Sequence, residues 1–179
     1  MINTIKFNSI TNDEVKPLVI EKIKEIFYLS SSLKEFSTPE RKIAFFKRWC
    51  GDYLTTYPEE FLIMMEGDIV LGYLSGCIDS KSSLSVLEVP GLNTFSEQFS
   101  LYPAHLHINF HPNCRGRGLG SLLINEYCED LKNRKIIGVH LVTSPEAANI
   151  PFYQRLGFNF EIEQKFNQMT LLFMGKKLN

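Results

Sequence analysis

No apolar run in this sequence approaches the ~18 residues needed to cross a bilayer, so a membrane-spanning helix is not expected. A surplus of charge is missing too. Lys and Arg number 19 against 20 Asp and Glu, a net charge of −1, which argues against nucleic-acid binding and makes any anion site a local one. The opening "MINTIKFNSITNDE" has no apolar stretch or small-residue cleavage site of the kind a leader carries. The four cysteines, Cys50, Cys77, Cys114 and Cys128, show no paired CxxC spacing, so no metal site is expected. They read as reduced thiols of a cytoplasmic protein. Internal repeats and low-complexity segments are absent. What remains is an ordinary composition, 44% hydrophobic and 22% charged, over 179 residues, enough for one domain with a real core.

Along the chain, "INTIKF" alternates like a short strand. "TNDEVKPLVIEKIKEIFYL" places Val15, Leu18, Val19, Ile23 and Ile26 at helical spacing, with Thr11 or Asn12 as N-cap. "STPERKIAFFKRWCGDYL" reads as a second helix, its Phe45, Phe46, Trp49 and Tyr53 recurring at core spacing. Two apolar runs joined at Glu66-Gly67-Asp68 form a hairpin signal. Residues 80–100 lose periodicity and read as an inserted loop near the acceptor site of whatever chemistry follows. There Phe95 and Phe99 stand out as substrate-lining candidates, with Asp79, Glu88 and Glu97 as acids that could attract a cation. Then come the strand "AHLHINF", a helix from about Gly118, the strand "GVHLVT", a helix "PEAANIPFYQRL", and two closing strands. The order predicts an α/β fold with a mixed central sheet flanked by helices.

The segment "CRGRGLGS", 114–121, sits between a strand and a helix. A helix N-terminus offers unpaired amides and partial positive charge. Gly116, Gly118 and Gly120 allow a phosphate to approach the backbone, and Arg115 and Arg117 add charge-assisted bonds. A pyrophosphate is the expected guest. The Walker pattern needs a lysine that is absent, and the dinucleotide fingerprint needs GxGxxG where this loop has GxGxG. The plain alternative is a glycine-rich turn with exposed arginines.

Arg115, Gly118 and Gly120 after a strand, followed downstream by "PFYQRLGF", resemble the GCN5-related N-acetyltransferase (GNAT) superfamily. Two finer likenesses accompany this, to bacterial relatives of the acetyltransferase-like domain of O-GlcNAcase and to arylalkylamine N-acetyltransferases. The resemblance implies a single N-acetyltransferase domain over 1–179 with splayed central strands. It implies acetyl-CoA as co-substrate and direct transfer of acetyl to a primary amine, on a small molecule or a protein, in a ternary complex. In such a protein Ile108, Asn109 and Phe110 would face the pantetheine arm. Arg115, Gly116, Arg117, Gly118, Leu119, Gly120 and Ser121 would wrap the pyrophosphate. Tyr153 would protonate the departing thiolate, a role open to a phenol that keeps its proton at neutral pH. Glu146 stands where many members carry a CoA-contacting asparagine, and Asn149, one helical turn on, is its expected substitute.

For the general base, His105 and His107 share one face of their strand with Asn109, and imidazole suits proton transfer near neutrality. His107 is favoured as the nearer to the thioester, and both have a structural alternative. His111, before a proline, reads as a turn residue. Cys114 is incidental, since direct transfer needs no covalent intermediate. A homodimer and a non-catalytic acyl-CoA-binding domain of the same fold are the remaining expectations.

Overall fold

The computed structural model describes residues 1–178. Seven strands hydrogen-bond in the order β1-β2-β3-β4-β5-β7-β6. They are β1 (Ile2–Lys6), β2 (Phe61–Glu66), β3 (Ile69–Cys77), β4 (Ala104–Phe110), β5 (Gly138–Thr143), β6 (Phe160–Phe166) and β7 (Met169–Lys177). β4 and β5 run parallel, while β1–β2, β2–β3, β5–β7 and β6–β7 are antiparallel. The expected mixed α/β sheet is present.

The chain falls into two units, Met1–Gly76 with His107–Ile124, and Cys77–Leu106 with Asn125 onward. The first is built on the β1-β2-β3 meander, whose hairpin turns at Gly67-Asp68 as the sequence indicates. Its first helix, α1 (Val15–Ser30), buries Val19, Ile23, Ile26 and Phe27. Val15 and Leu18 face solvent instead, because the apolar stripe is narrower than the run of apolar letters. The N-cap position is Glu14 and not Thr11 or Asn12, although Asn12 Oδ1 accepts the amides of Glu14 at 2.8 Å and Val15 at 3.2 Å in the turn just before the helix.

The second helical segment is not one regular helix. It comprises α2 (Pro39–Phe46), a π-turn over Lys47–Gly51, and α3 (Asp52–Thr56). Thr38 Oγ1 caps it by accepting from Arg41 N at 3.3 Å, with Pro39 in the first turn. Phe46, Cys50 and Tyr53 are its buried face, while Phe45 and Trp49 are half-buried.

In the second unit the 80–100 segment is ordered structure. It holds α4 (Ser80–Ser83), capped by Asp79, and a 3-10 stretch over Leu92–Gln98. Phe95 and Phe99, expected to line a substrate site, are instead fully buried with Leu92, Tyr102 and Phe173 in one hydrophobic cluster. Their rings fill core that neighbouring elements leave open. Asp79 is likewise committed, accepting from Ser82 N at 3.1 Å and Ser82 Oγ at 2.6 Å. The last helices are α5 (Leu119–Asn133) and α6 (Ile150–Arg155), the latter starting later than "PEAANI" suggests because Pro145–Asn149 forms turns.

Candidate functional site

β4 is paired unevenly. Its register with β5 covers Ala104↔Val139 and His105↔His140 and stops there, although both strands continue. That register thus belongs to the first part of β4. On its other side the strand stays tied to β3, His111 N donating to Leu71 O at 2.9 Å. The approach there is close: a Cβ on Gly72 would run into the Phe110 ring and lie 2.7 Å from the Asn109 carbonyl oxygen.

Beyond β4 the chain makes a short 3-10 turn at Pro112–Cys114, where His111 is the turn residue expected and also caps the turn, its Nδ1 accepting from Asn113 N at 3.3 Å. Then comes the glycine loop. Gly116 and Gly118 have φ of +74° and +76°, a region that side chains with a Cβ rarely adopt. Nothing stands within 4 Å of where a Cβ would sit at either one, so both backbones are open to an approaching ligand. The α5 ladder begins with Leu122 N donating to Gly118 O at 3.1 Å. The amides of Leu119, Gly120 and Ser121 precede that first bond and have no intrahelical partner. Arg115 is exposed, and Arg117 Nη2 lies 3.3 Å from Glu66 Oε1 across an exposed ion pair. These residues fit the pyrophosphate of acetyl-CoA: open backbone, the first amides of a helix and two cations in one stretch of chain.

The histidines separate clearly. His105 is 2% exposed, with Nδ1 2.8 Å from Ser80 Oγ, and that hydroxyl donates to Pro103 O at 2.7 Å. Since the hydroxyl proton is used there, His105 must donate from Nδ1. His140 is buried, its Nδ1 2.8 Å from Tyr102 O and its ring stacked on Phe99 and Phe173. Both are structural. His107 packs edge-on against Trp49 and Tyr53, with centroids 6.0 and 5.6 Å away. Part of the residue still meets solvent, but burial of the ring pushes its pKa down to about 4. It is a neutral imidazole at physiological pH, able to accept a proton but a weak base.

Two residues along the same face of β4, Asn109 Nδ2 donates to Tyr73 Oη at 2.9 Å. Tyr73 is fully buried, stacks on Phe61 with centroids 5.2 Å apart, and is hydrogen-bonded to the Cys50 thiol. Burial raises both groups, Tyr73 well above the usual phenol range and Cys50 to about 12. Neither Tyr73 nor Cys50 announces itself in the sequence: Tyr73 lies in an apolar run that reads as core, and Cys50 is a lone cysteine among the polar residues Lys47, Arg48 and Asp52.

In the second unit Tyr153 belongs to α6, packed against Phe152 and Phe158. Burial pushes its pKa up to about 12, so its hydroxyl is held protonated, as a proton donor requires. Asn149 precedes α6 with its side chain exposed, and its carbonyl accepts from Phe152 N and Tyr153 N.

A mixed α/β sheet with a glycine loop between β4 and the head of α5 is the scaffold of an α/β transferase-type fold. The chain belongs to the Acetyltransferase (GNAT) family, whose sequence model matches residues 20–158. No curated protein matches the sequence. Among solved structures, SsHAT is similar at 21% identity and TM-score 0.69, over 99% of this chain and 98% of that one. yncA from Salmonella typhimurium, determined with its cofactor acetyl-CoA, is 18% identical with TM-score 0.58, over 100% and 95%. The PaiA N-acetyltransferase from Thermoplasma acidophilum, in complex with coenzyme A, is 14% identical with TM-score 0.62, over 99% of each chain. At these identities the likeness concerns the fold. Among the described residues no helix is long and apolar enough to cross a membrane.

Proposed function

We propose that this protein is an acetyl-CoA-dependent N-acetyltransferase acting on a primary amine by direct attack in a ternary complex. The observation that carries the reading is the pair of open, positive-φ glycines, Gly116 and Gly118, at the head of α5. They follow β4, whose register with β5 is at Ala104 and His105. In this reading Arg115 to Ser121 hold the pyrophosphate, the backbone of Ile108 to Phe110 holds the arm, and Asn149 adds a contact. Acetyl-CoA supplies the activated acyl group. His107 takes a proton from the incoming amine, and Tyr153, kept protonated by burial, gives one to the departing sulfur. A small amine and a protein amine are both acceptor classes of this reading. The free thiols support a cytoplasmic location.

The low pKa of His107 favours a second reading, a non-catalytic acyl-CoA-binding domain of the same fold. Thermal melts with acetyl-CoA, CoA and NAD in parallel test the binding step. A ligand at 100 times its Kd stabilises by about 2.7 kcal/mol, a rise of roughly 5–10 °C for a chain of this size. A shift with both CoA species and none with NAD is the expected result, and its absence at millimolar acetyl-CoA overturns the reading. Release of CoA in an amine screen then separates catalysis from binding alone.

A further inference from the structure

The buried hydroxyl of Tyr73 lies where the helical segment meets β4. On one side it accepts from Asn109 Nδ2 at 2.9 Å, and on the other it is bonded to the thiol of Cys50, which the π-turn over Lys47–Gly51 carries. Both Tyr73 and Cys50 are almost completely enclosed, at 1% and 0% exposure, and Tyr73 is clamped by its stack on Phe61. Asn109, by contrast, is half-buried and sits in the later part of β4, past its register with β5. A ligand that must pair with a strand meets an entropic penalty if that strand can shift or twist, unless something fixes it. Two features fix this one. Gly72 lets β3 approach until backbone and ring touch, and Tyr73 holds the Asn109 side chain.

We propose that Tyr73, backed by Cys50, is a positioning residue for acetyl-CoA: through Asn109 it holds the later part of β4 in the conformation that receives the pantetheine arm. The inference rests on the binding mode proposed above. It assigns Tyr73 no contact with the ligand and no part in proton transfer.

The test compares two ligands on the full-length protein by isothermal titration. Acetyl-CoA engages both loop and strand, whereas 3′-phospho-ADP has the pyrophosphate and lacks the arm. Tyr73→Phe keeps the stack on Phe61 and removes only the hydroxyl. It should raise the Kd for acetyl-CoA by about 3- to 10-fold, the loss of one or two modest hydrogen bonds, and leave that for 3′-phospho-ADP unchanged. In an Asn109→Ala background the same substitution should add nothing, because its route to the ligand is gone. Should Tyr73→Phe fail to fold, Asn109→Ala alone must show the same split between the two ligands. Equal weakening of both ligands would mark Tyr73 as merely structural and overturn the proposal, as would unchanged affinity for acetyl-CoA. If the wild-type protein binds the two equally well, the arm contributes nothing and the proposal fails while the loop assignment stands. Binding of neither overturns both.

Discussion

Tyr153 and His107 are shifted in opposite directions by the same cause. Burial disfavours charge, so the phenol holds its proton more tightly and the imidazole holds one less. Tyr153→Phe should therefore leave the acetyl-CoA Kd intact and lower kcat by about 10- to 100-fold, read from steady-state rates at saturating substrates. An unchanged kcat removes Tyr153 as the acid. For His107 the consequence reaches stability. Its folded pKa of about 4 lies below the ordinary 6.5, so between those values the unfolded chain binds the proton and the folded one does not. Its stabilising effect is complete above pH 6.5 and is lost as pH falls toward 4, up to roughly 3 kcal/mol. Melting curves over that window should fall more steeply for the wild type than for His107→Phe. Parallel curves would mean that the ring titrates normally.

At the scale of elements, the strand–loop–helix that carries the proposed cofactor site was the most legible part of the sequence. "AHLHINF" matches β4 end for end, and Gly116 and Gly118 mark the loop because side chains with a Cβ rarely adopt their positive φ. Gly118→Glu puts a Cβ at φ +76° and a carboxylate in the anion's place. It should abolish acetyl-CoA binding in isothermal titration while circular dichroism still shows the native fold, and retained affinity would rule out the loop assignment. Gly72→Ala attacks the neighbouring pairing. Its methyl collides with Phe110 and the Asn109 carbonyl, and the variant should lose about 2–3 kcal/mol in urea unfolding. Less legible was anything that depends on who packs against whom. Phe95 and Phe99 sit in a stretch with no periodicity, and only the fold shows that Phe173 and Tyr102 need them as core. The π-turn has no letter pattern of its own. Asn109 and Tyr73 are 36 residues apart, and no local rule joins them.

At the scale of the whole molecule, charge and thiols matter more than any single contact. With a net charge of −1 the protein exerts little long-range pull on an anionic ligand, which leaves Arg115 and Arg117 to act locally. Glu66 already holds one of them in an exposed pair worth under about 1 kcal/mol, so displacing it for a phosphate costs little. The four cysteines are distributed just as unevenly. Cys50, Cys77 and Cys128 are buried, and Cys114 alone among them reaches solvent, one residue before the proposed pyrophosphate loop. A maleimide dye added to the native protein should therefore attach once, at Cys114, as intact mass and peptide mapping would show. Labelling at several positions would mean that the buried thiols open readily. The chain thus carries a built-in reporter position, and a fluorophore placed there would sense a ligand settling on Arg115 without any engineered mutation.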